Sequence, residues 1–302
     1  MVSQGLVRGR QSLERSKLWF CYTALLPIFA LFFILRIWPI LDSFRMSFYD
    51  WQLIGSARPF VGLQNYVELF GDKQFITAMK NTLLYAGTSV IAGICLALPI
   101  SLAMVRPTRL SRWHEAVYFM PFITPMVPMA VAWKWIYDAQ YGLLNYVLSF
   151  FGAKPVGWLI HPETAIWALI VMNIWKNLGY NVVLFLVGLR NIPGVYYEAS
   201  SIDGASGWNR FRYITLPLLK PIMLYVLVTS TISAFNVFTQ VYVMTLGSQA
   251  APSSAVRVLL YDIYENAFRY YRLGYACAES VILTLVVLGL TAIQFKLVKA
   301  ER

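Results

Sequence analysis

An all-α fold that spans a lipid bilayer six times is the class this sequence predicts, and three observations predict it. The composition is 59% hydrophobic and only 13% charged, far from the balance of a soluble domain. Six windows run continuously apolar for about 20 residues, the length a helix needs to cross a hydrocarbon core of roughly 30 Å. The basic residues fall unevenly between those windows, as they do where one membrane face retains positive charge.

The windows run from Leu18 to Ile40, Thr82 to Val105, Ala116 to Tyr137, Ala165 to Leu189, Pro221 to Met244 and Gly274 to Phe295. A transmembrane barrel would instead show segments of about ten residues alternating apolar with polar. The first window follows Arg8, Arg10, Arg15 and Lys17 and so looks like a signal peptide. It is longer than a cleavable apolar core and no small-x-small site follows, so it reads as a retained anchor. The third window carries Pro121, Pro125 and Pro128. Each removes a helical hydrogen bond, and a kinked helix is expected there. The chain thus divides into an N-terminal segment 1–17, a six-helix domain 18–295 with a loop at 190–220, and a tail 296–302.

With the N-terminus placed in the cytoplasm, fourteen of the 25 basic residues lie in the short inner segments and eight in the longer outer ones. Both termini are therefore expected to be cytoplasmic. Attraction to the anionic inner leaflet accounts for the net charge of +11 without nucleic acid, because no basic face with stacking aromatics is concentrated anywhere. Cys21, Cys95 and Cys277 fall in three different windows and read as packing residues, with no disulfide framework or metal site suggested. His114 and His161 lie on opposite sides in this topology, which excludes paired-histidine chemistry. The outer connections mix turn residues with aromatics and are expected to form short helices over the bundle mouth.

The inner loop between the fourth and fifth windows is the most informative segment. Pro193 suits the first turn of a short helix reaching about Asp203, Gly204 permits a sharp turn, Ser206 can cap a second helix, and Pro217 precedes re-entry into the membrane. The resulting knob would carry Tyr196, Tyr197, Trp208 and Phe211, more aromatic area than a solvated loop needs, which points to a protein partner.

Glu198, Ala199 and Ser200, then Gly204, then Ile214, Leu216 and Pro217 stand at the offsets of a known loop signature: Glu-Ala-Ala, three residues, Gly, nine residues, Ile, any residue, Leu-Pro. In this the sequence resembles the membrane subunits of binding-protein-dependent ABC importers, most closely the carbohydrate-uptake branch that includes the maltose and glycerol-phosphate permeases. Ser200 for the second alanine is the one departure within the signature. Phe60 to Tyr66, Asn81-Thr82, Trp133 to Trp135, Tyr141 to Asn145 and Gly274 to Ala276 extend the resemblance over nearly the whole chain. A second departure is Thr245 to Pro252, where relatives often show a Thr-Gly-Gly-Gly-Pro run.

The resemblance implies a type I ABC importer transmembrane domain with a cytoplasmic coupling helix. It implies that Glu198, Ala199, Ser200, Asp203, Gly204, Ala205, Trp208, Phe211, Leu216 and Pro217 engage a separate ATPase subunit, with Glu198 facing a basic residue there. The implied partners are two ATPases, a second homologous permease in a heterodimer, an extracytoplasmic solute-binding protein and membrane lipid, in the cytoplasmic membrane of a bacterium or archaeon. No Gly-x-x-x-x-Gly-Lys-Ser/Thr phosphate loop occurs in the sequence. ATP and magnesium therefore belong to the partner ATPase, and no catalytic residue, cofactor or metal is expected in this chain.

Two polar stripes mark a candidate solute path. Asn173, Asn177 and Asn181 share one helical face with Lys176 and Tyr180 close by, and Ser233, Asn236 and Gln240 form the second stripe. Such groups are costly against lipid and are expected to face the bundle interior, either along a path or as interhelical hydrogen bonds. Amides and hydroxyls with Tyr180, Phe235 and Phe238 nearby would suit a sugar-like solute. Lys176 either attracts an anionic solute or pairs with carbonyls or a partner helix. Arg36 and Lys134 can snorkel to the outer interface, and Glu279 is expected to reach a partner at the outer surface. An ion-gradient-driven secondary transporter is the alternative. The lack of internal symmetry and the expected scarcity of buried carboxylates weigh against it. An intramembrane enzyme would want paired catalytic groups at one depth, which the windows do not supply.

Overall fold

The computed structural model describes residues 17, 19–55, 58–105, 111–245 and 253–299. Among these, the long helices are α1 (Trp19–Met46), α3 (Lys73–Met104), α7 (Pro162–Arg190), α9 (Gly207–Phe235) and α13 (Leu273–Lys299). A sixth span is broken into α4 (Ser111–Ile123) and α5 (Met126–Ile136), which meet at 98°. Short helices α2 (Gln64–Gly71), α6 (Leu143–Ser149), α10 (Thr239–Thr245), α11 (Ser253–Val256) and α12 (Leu259–Tyr264) cap one end of the bundle, and α8 (Gly194–Ile202) stands at the other. The short helices expected in the long connections between the windows are therefore present. The basic residues Arg8, Arg10, Arg15, Arg106, Arg109 and Arg302 and the run 246–252 lie outside the described residues.

In three of the windows the helix boundaries differ from the sequence expectation for identifiable reasons. Helix α3 starts at Lys73 because Asp72 caps it, its carboxylate accepting from the Gln74 N–H at 2.7 Å. Proline breaks the third window outright: Pro125 takes extended backbone (φ −57°, ψ 146°) and terminates the helix. In the fifth window, α9 begins at Gly207 and runs through a π-helical turn at Phe211–Thr215. Pro217 has no N–H to offer the preceding turn, and the wider turn accommodates that loss inside a continuous helix instead of at a re-entry point. The same helix stops at Phe235, because Asn236 leaves helical geometry (φ −89°, ψ 22°).

Helices α3, α7 and α9 form the centre of the bundle. One apolar cluster around Tyr85, Leu169, Met172 and Met244 fills its capped half, and a second around Phe185, Leu186 and Leu219 fills the half toward α8. Helix α1 presents an unburied apolar surface in the isolated chain. Cys21 and Cys95 lie on the exposed outer surface, not in packing positions as expected, and only Cys277 is buried.

The capped end is tied together by three asparagines. Asn65 donates to the carbonyls of Ser47 and Tyr49, Asn81 to those of Ala255 and Arg257, and Asn145 to those of Asp138, Ala139 and Val156. Thr82 adds a fourth tie by accepting from the Leu259 N–H at 2.7 Å. Each such bond contributes about 1 kcal/mol net.

Candidate functional site

A cavity of about 230 Å³ opens between α3, α7 and α9 at mid-bundle, with Phe122 of α4 at its wall. Helix α7 supplies Asn173, Asn177, Tyr180 and Asn181, all on one face as their spacing requires. Helix α9 adds Thr229, Ser230 and Ser233, and α3 adds Ser89. The lining is amide, hydroxyl and aromatic, and no charged side chain is part of it. Phe122 stacks on Tyr180 with ring centroids 4.5 Å apart and planes 14° from parallel.

Hydrogen bonding inside the cavity is incomplete. Asn177 donates to the carbonyl and the side-chain oxygen of Asn173, at 2.9 and 3.0 Å. Ser89 Oγ and Asn181 Oδ1 are buried with no protein partner. Buried polar atoms are rarely left so, and both residues line the cavity, Ser89 from α3 and Asn181 from α7.

The first polar stripe therefore converges on the cavity, while the second divides. Ser233 lines the cavity, but the end of α9 carries the rest elsewhere. Asn236 is exposed and bonds back to the Ile232 carbonyl. Gln240 is buried on α10, donating to the Tyr85 hydroxyl. Phe235, expected near a solute, is buried in the core. Sequence reasoning missed Ser89, Phe122, Thr229 and Ser230. The run of hydroxyls from Thr229 to Ser233 and the serine four residues before Gly93 in an apolar span were the available signals.

Lys176 does not line the cavity. Its ammonium is buried and donates to the carbonyls of Pro121, Phe122 and Thr124 at 3.0, 3.2 and 2.7 Å, so of the two sequence readings the carbonyl pairing is the one the structure contains.

At the opposite end, α8 runs from Gly194 to Ile202 with Pro193 before it and Asp203 after it. Gly204 takes φ +70°, and around it the Ala205 N–H reaches the Ser200 carbonyl and the Gly204 N–H the Ser201 carbonyl. That double closure is the helix end a left-handed glycine permits. Ser206 then caps α9, accepting from the Asn209 N–H at 3.3 Å. Glu198, Ala199, Asp203 and Trp208 are exposed around this turn, as are Tyr196 and, at 88%, Ile202. Ser200 is buried and Ala205 half-buried. Two of the four knob aromatics turn inward: Tyr197 bonds to Thr215 at 3.0 Å, and half-buried Phe211 packs on Trp208 at 5.6 Å. Leu216 and Pro217 lie within α9, Leu216 half-buried and Pro217 exposed.

The capped end holds charges the sequence did not reveal. Arg257 pairs with both Asp262 and Glu265, Arg269 pairs with Glu265 at 2.7 Å, and Glu279 is fully buried against Asn266. Glu279 thus faces inward instead of reaching the outer surface, and the expected scarcity of buried carboxylates does not hold. Burial pushes the Asp262 carboxyl above its ordinary range, outweighing the pull of Arg257. Asp262 and Glu265 are paired with arginine in the cap, and none of these acids lines the cavity.

A model of the binding-protein-dependent transport system inner membrane component matches residues 89–300. A trehalose/maltose transport system permease of Thermococcus litoralis is 32% identical over 284 residues, covering 93% of this chain and 94% of that protein. A lactose transport system permease of Rhizobium radiobacter is 33% identical, over 89% of this chain and 90% of its own. A Yersinia pestis sn-glycerol-3-phosphate transport system permease is 32% identical, over 94% and 95%. Among solved structures, a bacterial ABC transporter involved in import of the acidic polysaccharide alginate contains a chain of the same fold, with TM-score 0.83 at 24% identity over 96% of this chain and 99% of that one.

Proposed function

The chain belongs to the family of binding-protein-dependent transport system inner membrane components, and on that footing we propose that it forms one half of the pore of an ATP-driven importer for a sugar or sugar-like solute. It is a transport subunit of the inner membrane and not an enzyme, with ATP hydrolysed on a separate subunit. The cavity at mid-bundle carries the solute reading: its amides, hydroxyls and aromatic wall bind polyhydroxyl compounds, and its lack of fixed charge favours a neutral sugar or polyol over a glycerol phosphate. The names of the maltose, lactose and glycerol-phosphate relatives support the same class.

The assembly is a heterodimer with a second homologous permease, two ATPases and an extracytoplasmic binding protein. Ser233, exposed at the cavity lining, faces the second permease, which completes the site. Both termini and the α8–α9 turn lie on the cytoplasmic face. There Glu198, Trp208 and Ile202 dock on the ATPase, and nucleotide-driven closure switches the pore between inward- and outward-facing states.

The test is uptake by the assembly reconstituted in vesicles. Dependence on ATP and on a loaded binding protein is expected, with Asn177→Leu lowering uptake or changing solute preference. Uptake that ignores ATP and collapses with an ion gradient would overturn the importer reading. An Asn177→Leu variant with unchanged uptake and preference would remove the cavity from the solute path.

A further inference from the structure

The break between α4 and α5 has no hydrogen-bond ladder of its own. In a continuous helix the Pro121 carbonyl would accept from residue 125 and the Thr124 carbonyl from residue 128, but both of those residues are proline and have no N–H. The Phe122 carbonyl loses its partner because the chain turns by 98° after Ile123. Three consecutive-turn carbonyls are thereby orphaned inside the bundle, where each would be costly. Lys176, reaching across from α7, donates to all three. Its three ammonium hydrogens match three acceptors, so nothing is left over for a solute anion.

The same stretch carries the cavity wall. Phe122 is in the middle of the bolted segment, and its ring stacks on Tyr180, one helical turn beyond Lys176 on α7. Close approach of the two helices is permitted at Gly179, where a Cβ would stand 1.8 Å from the Tyr118 carbonyl oxygen. Backbone carbonyls, ring and glycine contact therefore lock the elbow to one face of α7. Of the three, only the lysine contact compensates for the missing backbone bonds.

We propose that Lys176 is a positioning residue for transport: it bolts the α4–α5 elbow to α7 and so holds Phe122 as the wall of the solute cavity. The functional half of this proposal rests on the cavity being part of the solute path, whereas the placement half does not. Without the bolt the elbow swings away, the cavity no longer closes around solute, and nucleotide is hydrolysed without delivery.

Two measurements on the assembled transporter test this. In membranes, the pair Phe122→Cys and Tyr180→Cys, in a background with Cys21, Cys95 and Cys277 changed to Ser, should be joined efficiently by a short thiol cross-linker. Adding Lys176→Met should lower the yield at least about fivefold, and Lys176→Arg should restore it. In vesicles, Lys176→Met alone should lower solute delivered per ATP hydrolysed by about tenfold while ATP turnover stays within about threefold, again with recovery in Lys176→Arg. A general loss of folded protein would lower delivery and turnover together, and that result would overturn the positioning role. Unchanged cross-linking in Lys176→Met would overturn the bolt itself. If cross-linking falls as expected but the wild-type assembly delivers no carbohydrate, the placement stands and the solute reading fails.

Discussion

Asn266 Nδ2 lies 3.2 Å from both carboxyl oxygens of Glu279, and neither residue is open to solvent. This pairing fastens the π-helical turn after α12 to the first turns of α13, and the Arg257 pairs with Asp262 and Glu265 stand beside it. The cap over the bundle is thus held by the ion pairs of Arg257 and by a hydrogen-bonded carboxyl, all taken out of water. Such groups are stable only as a set.

Arg257→Met should therefore be among the most damaging changes in the cap. It leaves Asp262 and Glu265 buried with one exposed cation, Arg269, still in contact, and breaking a buried pair from one side typically costs about 3–5 kcal/mol. Thermal unfolding of the purified assembly in detergent should show a marked drop. A triple change that also makes Asp262→Leu and Glu265→Leu should recover part of it. Equal stability of wild type and Arg257→Met would mean that the buried charges are not ionised as a group.

Asp262 gives the cap a pH dependence with a defined sign. Burial raises its carboxyl above the ordinary carboxylate range, so the folded form binds the proton more tightly than the unfolded chain. The stability linked to this proton is full below the unfolded value of about 4 and is lost as pH rises through the folded value. The groups facing it are Arg257, Glu279 and, more weakly, Asp72. Asp262→Asn should flatten the decline in unfolding temperature above about pH 4. A decline of the same slope in wild type and variant would remove Asp262 as its source.

What the sequence revealed and what it hid divide along physical lines. Long apolar runs announce spans whatever their neighbours do, and the Glu198 to Pro217 spacing was legible because a left-handed glycine at a sharp turn between two helices is a local requirement. The 98° elbow was legible only as a kink. Three prolines weaken a helix, but the side chain that satisfies the carbonyls freed at the bend is Lys176, 52 residues away from Thr124. The Ser233, Asn236 and Gln240 stripe divided because it assumed a helix continuing past Phe235, and the cap acids were invisible because their partners are set by tertiary packing. The cavity required knowing which faces of α3, α7 and α9 meet, so Ser89 had no local signature.

At the α8–α9 turn, Gly204→Val should impair coupling without preventing membrane insertion. The left-handed conformation costs a β-branched residue about 1–2 kcal/mol, and nothing lies within 4 Å of the site, so the strain is confined to the turn. The double closure onto Ser200 and Ser201 should loosen and displace Glu198 and Ile202 relative to Trp208. Co-purification of the ATPase subunit and ATP-dependent uptake should both fall, with the permease itself still recovered from membranes. Normal co-purification and uptake would show that this turn does not dock the ATPase.

Asn181 and Asn177 separate a binding site from helix–helix adhesion. Asn181 Oδ1 is buried with no partner, so the fold already bears the cost of desolvating it, on the order of 1–3 kcal/mol. Asn181→Leu removes that cost, and the unfolding temperature should hold or rise while uptake falls. Asn177 differs because its amide is bonded to Asn173, so Asn177→Leu should lower stability by about 1 kcal/mol as well as uptake. Opposite shifts in stability and transport at Asn181 are what a polar group kept for a ligand produces. A loss of stability at Asn181 with uptake intact would mean that its amide serves the packing of α7 against α3 and not the solute.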